Sequence, residues 1–421
     1  MQKIIDFHIH SKYARATSKT FDLEEMVKWS EIKGVDIISC ADFTHPQWFK
    51  NLQNNLEEDN NSGLYKLKNS TSKVRFIIST EVSCIYSQGG KTRRVHLCIL
   101  MPSLASAKKF NKSLADRGAK LASDGRPILG MSAKEILQIM LDTDKRAMMI
   151  PAHVWTPWFA VFGSKSGFDN LKECFEELTP HIRAIETGLS SDPIMNWRLS
   201  ELDNITLVSN SDAHSGPQIG REANVMNLTY NTYDEIIDII ATKDKKRFLY
   251  TIEFFPEEGM YHYDGHRECG FVSSPEATKK LKGICPKCKK SLTIGVVSQI
   301  EDLSDIAKDK INKSKHIPYK SIVPLPSLIA DYFGMGRSSK RVQNLFLDII
   351  GQAGNEFKVL LDLDFSELKK IMPENLAQGI IRMRQNKIKL NPGFDGQYGT
   401  IEVFSEEEKQ SAKNNKQTAL F

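Results

Sequence analysis

The sequence feature that most constrains this chain is a repeated pattern in which a short apolar run leads to a histidine or an acidic residue. The pattern first occurs at the N-terminus, where residues 3–7 lead to His8 and His10. A β-strand sends alternate side chains to one face, so these two histidines are expected to point the same way and to share a metal ion. On its own the pair is weak evidence, because His-x-His also occurs by chance on half-exposed strands.

Five further apolar runs repeat the pattern between residues 35 and 214. The metal-type residues that end or interrupt them are Asp42 with His45, Glu81, His96, His153, and Asp212 with His214. By itself, His96 would be read as a half-buried packing residue, and only the whole set makes it a candidate ligand. Short strands that alternate with amphipathic helical segments predict a parallel α/β sheet, closed or open, with its chemistry at the carboxyl ends of the strands.

Composition limits the class of protein. The 421 residues exceed the usual size of one hydrophobic core, so two or three domains are expected. The chain has no apolar stretch of membrane-spanning length and its N-terminus enters a strand directly, which predicts a cytoplasmic protein. Seven scattered cysteines favour free thiols and a zinc site over disulfides. A net charge of +5 permits a polyanionic partner without requiring one.

In order and spacing, these candidate ligands resemble the motifs of the polymerase and histidinol phosphatase (PHP) superfamily over roughly residues 1–255. The resemblance implies a distorted (β/α)7 barrel that holds two or three divalent metal ions and activates water against a phosphoester. Carried over by position, it implies three ligand sets: His8, His10, Glu81 and Asp212; Glu81 again with His96 and His153; and His45 with His214. The segment after His10 has no further histidine, which departs from the usual pattern and leaves the third ion open.

A carboxylate that bridges two cations is a suitable centre for phosphoester hydrolysis. Two ions held in this way activate a water molecule and stabilise negative charge on the phosphate. Mixed imidazole and carboxylate ligands suit Zn²⁺ or Mn²⁺ better than Ca²⁺, and ligand type alone does not choose between Zn²⁺, Mn²⁺ and Mg²⁺.

Four side chains of this region are candidates for binding a large substrate. Lys12 and Arg15 follow the first histidines and could contact phosphate, although a solvated charged loop is an equal alternative. Trp155 and Trp158 follow His153 and could stack on an extruded base, or they could belong to the core.

Residues 256–300 are predicted to form a small zinc-binding module. Cys285-x-x-Cys288 pairs most simply with His266-x-x-Cys269, which gives a closed structural zinc site, with His262 as an alternative ligand. A redox Cys-x-x-Cys is the rival interpretation, but lysine-rich flanks suit a zinc ribbon better. Those lysines would also suit a phosphate backbone.

The remaining chain is predicted to contain a helical region, 301–404, and a flexible charged tail, 405–421. Residues 334–341 form a basic turn into a helix, which fits either a phosphate contact or an ordinary capped helix. The tail ends in Gln417-x-x-Leu420-Phe421, which resembles the short peptide that docks repair proteins on the DNA sliding clamp; a frayed apolar terminus is the alternative.

Taken together, four motifs resemble the endonuclease Q family over about residues 1–404. They are residues 8–11, residues 42–46, the module from Gly265 to Cys288, and residues 392–396. The resemblance implies a cytoplasmic, nucleoid-associated repair enzyme that cuts duplex DNA 5′ of deaminated bases (deoxyinosine, deoxyuridine, deoxyxanthosine) and abasic sites, leaving 3′-hydroxyl and 5′-phosphate ends. Two alternatives remain, a small-molecule phosphoesterase of the histidinol phosphatase kind and a DNA-binding adaptor with an inactive barrel.

Overall fold

A computed structural model describes residues 1–414 of the chain, and the side chains up to residue 413. Within this range, helices and strands alternate through the first 255 residues and helices dominate from residue 325 onward. No helix in the described range is both long enough and apolar enough to cross a membrane.

The first 255 residues contain the strands that carry the candidate ligands. In chain order the strands are β1 Gln2–Asp6, β2 Ile37–Ser39, β3 Leu56–Glu58, β4 Tyr65–Leu67, β5 Arg75–Gln88, β6 Lys91–Met101, β7 Ile128–Leu129, β8 Met148–Pro151, β9 Ala184–Glu186, β10 Thr206–Val208, β11 Ala223–Asn227 and β12 Phe248–Glu253. The helices between them are α1 Leu23–Lys33, α2 Pro46–Asn55, α3 Leu104–Asp116, α4 Ala133–Thr143, α5 Leu171–Phe175, α6 Pro193–Asn196 and α7 Tyr233–Ala241.

Helix α1 shows why these segments fold locally as they do. The Asp22 side chain accepts a hydrogen bond from the Glu25 backbone N–H, which caps the start of the helix. Gly34 ends the helix with a φ of 88°, a left-handed conformation that glycine adopts without steric cost. The apolar positions Leu23 and Met26 are buried in the core.

The rest of the chain adds shorter elements. They are β13 Asp264–His266, β14 Phe271–Ser273, α8 Pro275–Lys280, α9 Val296–Leu303, β15 Tyr319–Ser321, α10 Leu325–Phe333, α11 Lys340–Ala353, α12 Phe365–Ile371, α13 Glu374–Arg384, β16 Lys389–Asn391, β17 Thr400–Glu402 and α14 Glu406–Asn414.

The strands form a mixed sheet around the site, so the predicted α/β class is confirmed while the prediction of a parallel sheet is only partly right. Strand β1 pairs in parallel with β2, and β2 pairs in parallel with β5. Strand β5 then runs antiparallel to β6, and β6 antiparallel to β8. The cause is the two-residue turn of Gly89 and Gly90, both at positive φ, which joins β5 directly to β6 as a hairpin.

Backbone contacts continue from β8 round to β1. Val154 N–H donates to the carbonyl of Glu186 at the end of β9, and β9 pairs in parallel with β10. Beyond β10, the backbone of Ala213 accepts a hydrogen bond from His10 N–H, just beyond β1. These contacts bring the strand ends that carry the candidate ligands to one place.

The helical region packs against the first 255 residues through a buried ion pair. Lys33 Nζ lies 2.6 Å from Glu356 Oε2, and both side chains are only 3% exposed. The other oxygen of Glu356 accepts a hydrogen bond from Leu325 N–H at the start of α10. One carboxylate therefore ties α1 to the first long helix of the C-terminal region.

One expectation about the C-terminal region was wrong. Helix α9 ends at Leu303, and Asp305 just beyond it accepts hydrogen bonds from Ser200. The charged tail predicted from residue 405 begins instead with an ordered helix, α14, which packs on α10 through the ion pair of Lys409 with Asp331 at 3.0 Å.

Candidate metal centre

The carboxylate of Glu81 lies between two groups of histidines. Its Oε2 atom is 3.2 Å from His10 Nε2 and 3.5 Å from His8 Nε2. Its Oε1 atom is 2.9 Å from His96 Nδ1 and 3.2 Å from His153 Nε2. The Glu81 side chain is fully buried, so its two oxygens face two separate sets of ligand atoms inside the protein.

The β5–β6 hairpin and the turn after β10 complete the two groups. Ser83 pairs with His96 across the hairpin, so Glu81 and His96 are diagonal neighbours on one sheet face. Asp212 lies beyond β10, and its Oδ1 atom is 3.1 Å from His10 Nε2 and 3.6 Å from His8 Nε2. The structure thus brings together the first two predicted ligand sets.

The first group has the unpaired buried atoms expected of a metal site. His8 Nε2, His10 Nε2 and Asp212 Oδ1 are buried and have no hydrogen-bond partner among the described residues. Buried polar atoms are nearly always paired, and an orphaned cluster calls for an ion or water. One cation would satisfy all three atoms, so these residues fit a divalent metal.

Two carboxylates fix the orientation of the first histidines. His8 Nδ1 lies 3.0 Å from Glu186 Oε2, and His10 Nδ1 lies 3.0 Å from Asp42 Oδ1. Because a carboxylate accepts hydrogen bonds, each Nδ1 carries a hydrogen, and each Nε2 faces the cluster, where a bound cation could replace its proton.

Glu186 connects the two ligand groups, and sequence reasoning missed it. Besides His8, it accepts hydrogen bonds from His153 N–H at 3.0 Å and from the Asn210 side chain at 2.8 Å. The signal was present, since Glu186 ends the run of residues 182–186 as the other ligands end theirs. Asp42 was predicted only as part of the motif that includes His45, and not as the hydrogen-bond partner of His10.

Several site residues have strained backbones. Asp42, His153 and Asp212 have φ values of 37°, 31° and 47°, a left-handed region that side chains other than glycine rarely adopt. Arg221 holds the Asp212 turn by donating from Nε to the Ser211 carbonyl at 2.7 Å and from Nη2 to the Asp212 carbonyl at 3.3 Å. Such strain is typical of functional sites whose surroundings hold it in place.

The protonation states of two ligands suit metal binding. Burial alone would raise the pKa of the Asp212 carboxyl, but the positive charges of His8 and His10 outweigh burial and hold that pKa well below its usual value. Burial lowers the pKa of His96 to about 4, so this imidazole is neutral near pH 7. Ionised carboxylates and neutral imidazoles are the forms that bind metal ions.

The set predicted for a third ion is not brought together. His45 stacks on Tyr13 with ring centroids 4.4 Å apart. His214 lies 4.5 Å from the His10 ring, and its Nδ1 contacts the Asp212 carbonyl at 2.8 Å. No cluster of three ligand atoms in residues 1–414 includes either histidine.

The candidate substrate contacts differ in exposure. Trp155 is 1% exposed and donates from Nε1 to Asn196 at 2.7 Å, so the prediction that it stacks on a base was wrong: this indole is part of the core. Trp158 is 36% exposed and packs edge to face on Tyr261 of the zinc-binding segment at 5.5 Å.

The basic candidates near the first histidines lie on the surface. Lys12 Nζ is 3.7 Å from Asp22, with both side chains about one-third exposed. Arg15 is exposed, and its backbone N–H donates to the Asp124 side chain.

The predicted zinc ligands also converge. One ligand atom from each of His266, Cys269, Cys285 and Cys288 lies within 4.8 Å of the others, and Cys288 Sγ is 3.6 Å from His266 Nδ1. His262 lies outside this group. The arrangement fits a closed site with three thiolates and one imidazole. The predicted clamp-binding residues Gln417, Leu420 and Phe421 lie outside the described residues.

Comparison with known protein sequences links the chain to two relatives. A family described as the MJ0043 C-terminal domain matches residues 324–387. Protein MJ0043 of Methanocaldococcus jannaschii is 34% identical over 252 residues, which is 59% of this chain and 31% of MJ0043. Protein YqxK of Bacillus subtilis is 27% identical over 418 residues, covering 95% of this chain and all of YqxK. The chain thus spans about a third of MJ0043.

Solved structures extend the similarity to the whole fold. The lesion-specific endonuclease PfuEndoQ from Pyrococcus furiosus is 27% identical with a TM-score of 0.84, covering 98% of this chain and 99% of that one. Endonuclease Q bound to a 27-mer duplex with an abasic lesion at its active site is 29% identical with a TM-score of 0.84, covering 97% and 98%. Over nearly its whole length the chain is therefore similar in sequence and fold to endonuclease Q, which confirms the predicted resemblance, and these structural neighbours are DNA endonucleases.

Proposed function

We propose that this chain is a repair endonuclease that hydrolyses duplex DNA on the 5′ side of damaged nucleotides. The observation that carries the proposal is the position of Glu81, whose two oxygens face two separate groups of buried metal-type ligands. A bridging carboxylate of this kind is the central element of two-metal phosphoester hydrolysis.

The residues of the centre have distinct tasks in this proposal. His8, His10 and Asp212 would hold one ion, His96 and His153 a second, and Glu81 would bridge them. Divalent ions held in this way supply an activated water nucleophile and stabilise negative charge on the phosphate. The protein orients the ligands through Glu186 on His8 and Asp42 on His10. The ions would be Zn²⁺, Mn²⁺ or Mg²⁺, and a third ion near His45 and His214 would need water molecules as further ligands.

We infer the substrate class from the similarity to endonuclease Q. One solved relative is bound to duplex DNA with an abasic lesion, and by extension we propose abasic sites together with deoxyinosine, deoxyuridine and deoxyxanthosine as substrates. Cleavage would leave a 3′-hydroxyl and a 5′-phosphate. Trp158 is the proposed stacking surface for a displaced nucleotide, since it is exposed beside the loop that carries His153.

We further propose a division of the chain into working parts. Residues 1–255 would form a distorted (β/α)7 PHP barrel that cuts, residues 256–300 a module with structural zinc, and residues 301–404 a DNA-gripping region. Lysines of the zinc module lie on its surface, where they suit a phosphate backbone. Docking of the C-terminal peptide on a sliding clamp and a cytoplasmic, nucleoid-associated location complete the proposal.

The test is a nicking assay on end-labelled duplexes. Each duplex carries one deoxyinosine, deoxyuridine, deoxyxanthosine or abasic site, and an undamaged duplex and a phosphomonoester serve as controls. Nicking directly 5′ of the lesion that requires Mn²⁺, Mg²⁺ or Zn²⁺ is the expected result. Hydrolysis of the phosphomonoester alone would favour a small-molecule phosphoesterase, and metal-independent DNA binding without cleavage would favour an adaptor.

A further inference from the structure

One charged side chain reaches the metal centre although it cannot be a metal ligand. Arg126 Nη1 lies 3.0 Å from Glu81 Oε2, the oxygen that also faces His10. The Arg126 side chain is 24% exposed, whereas that of Glu81 is fully buried. The guanidinium therefore lies between the ligand groups and the solvent, where a substrate must approach.

The backbone on either side of Arg126 is fixed to the loop that follows the first histidines. The Asp124 side chain accepts hydrogen bonds from the N–H groups of Arg126 at 3.0 Å and Arg15 at 3.2 Å. Gly125 N–H donates to the Tyr13 carbonyl at 3.0 Å. A Cβ atom on Gly125 would lie 2.4 Å from Asp42 Oδ2, so only glycine allows this approach. The position of Arg126 is thus tied to Asp42, the residue that orients His10.

The hydrogen-bonding capacity of Arg126 is mostly unused. A guanidinium has five N–H donors, and within residues 1–414 the side chain of Arg126 donates only to Glu81. No nitrogen of Arg126 is both buried and without a hydrogen-bond partner. The N–H groups that do not bond Glu81 are therefore exposed to solvent. A planar fork of free donors beside a phosphoester-hydrolysing centre matches the geometry of phosphate oxygens.

We propose that Arg126 is a catalytic residue that donates hydrogen bonds to a non-bridging oxygen of the scissile phosphate. In the hydrolysis, the water oxygen bonds to phosphorus, the bond from phosphorus to the 3′ oxygen breaks, and the proton released by the water is balanced by protonation of the 3′ oxygen. Negative charge on the phosphate oxygens is redistributed in the transition state, and a preorganised cation stabilises it there. The inference rests on the proposed endonuclease function.

The experiment compares wild type with Arg126→Gln and Arg126→Lys in single-turnover nicking of a duplex with one abasic site. Arg117→Gln is the matched control, because the Arg117 side chain is exposed at the end of α3 and, among the described residues, donates only to the Ser113 carbonyl. We expect Arg126→Gln to be about 10²- to 10³-fold slower, the usual effect of removing one such donor. Arg126→Lys should recover part of the rate, since it keeps the charge but loses the fork. Metal content should stay at the wild-type value in every variant.

A phosphorothioate substrate separates a phosphate contact from a structural role. Sulfur in place of the non-bridging oxygen that Arg126 contacts should slow nicking by wild type and by Arg117→Gln for one diastereomer of the substrate. The same substitution should slow Arg126→Gln by a smaller factor. Nicking by Arg126→Gln at the rate of the control, an undiminished sulfur effect, or loss of metal that accounts for the slower rate would each overturn the inference. Failure of wild type itself to nick any lesion would overturn the proposed function instead.

Discussion

At the scale of single residues, Glu186 is the side chain whose loss should disturb the centre most without removing a metal ligand. It accepts a hydrogen bond from the His8 side chain and one from the His153 backbone, so it touches both ligand groups. We expect Glu186→Gln to weaken metal binding by about 10- to 100-fold, because the amide can place a donor toward His8 Nδ1 and disturb its tautomer. Titration of the variant with metal ion measures the affinity, and nicking activity is a second readout. A metal affinity equal to that of wild type would contradict the role of Glu186 in orienting His8.

The Asp212→Ala variant tests whether DNA cleavage and DNA binding depend on different parts of the chain. Asp212→Ala removes one ligand of the first ion, whereas the surfaces proposed to hold the duplex lie elsewhere, so we expect loss of nicking with duplex binding largely kept. Fluorescence anisotropy with an abasic duplex and gel-based nicking measure the two properties on one preparation. An equal loss of binding would contradict this division.

Single residues also show the limits of inference from sequence. The apolar runs predicted the ligands around Glu81, since strand ends in this fold class meet at one place. They could not show that Trp155 is buried, because aromatic residues beside a site and aromatic residues in a core have the same local sequence. Nor could they assign Glu186 a role, because it contacts ligands from two other segments, which only the tertiary fold brings together.

At the scale of elements, the zinc-binding segment is too short to hold its shape by apolar packing alone. Strands β13 and β14 have three residues each, and their hairpin carries His266 and Cys269 opposite the turn with Cys285 and Cys288. We expect Cys285→Ser to lose one equivalent of zinc, to unfold at a lower temperature and to bind duplex more weakly. Zinc analysis and thermal unfolding provide the measurement, with Cys174→Ser, a buried cysteine far from these ligands in sequence, as the control. Retention of the zinc equivalent would refute the site.

The elements also show which sequence signals were overlooked. The hairpin of β5 and β6 was predicted as two separate strands of a parallel sheet, although Gly89-Gly90 is a turn sequence that joins adjacent antiparallel strands. Helix α14 was predicted as part of a flexible tail because its residues are charged. Its order comes from contacts distant in sequence, among them Glu408 with Arg382 at 2.8 Å, which local composition does not reveal.

At the scale of the whole molecule, the buried pair of Lys33 and Glu356 links the first 255 residues to the helical region. We expect Lys33→Met to lower the free energy of unfolding by about 3–5 kcal/mol, because it leaves the Glu356 carboxylate buried without its counter-charge. The double variant with Glu356→Leu should recover much of that loss. Denaturant unfolding of both variants is the measurement, and a single variant as stable as wild type would show that the pair does not hold the two regions together.

Two ions on opposite sides of the Glu81 carboxylate are the central feature of the proposed mechanism. Anomalous diffraction from crystals of the full chain grown with Mn²⁺ tests this most directly. We predict two peaks that flank Glu81, one bounded by His8, His10 and Asp212 and the other by His96 and His153, and loss of both from Glu81→Ala crystals. A single peak at this centre, or two peaks that persist without the Glu81 carboxylate, would contradict the account.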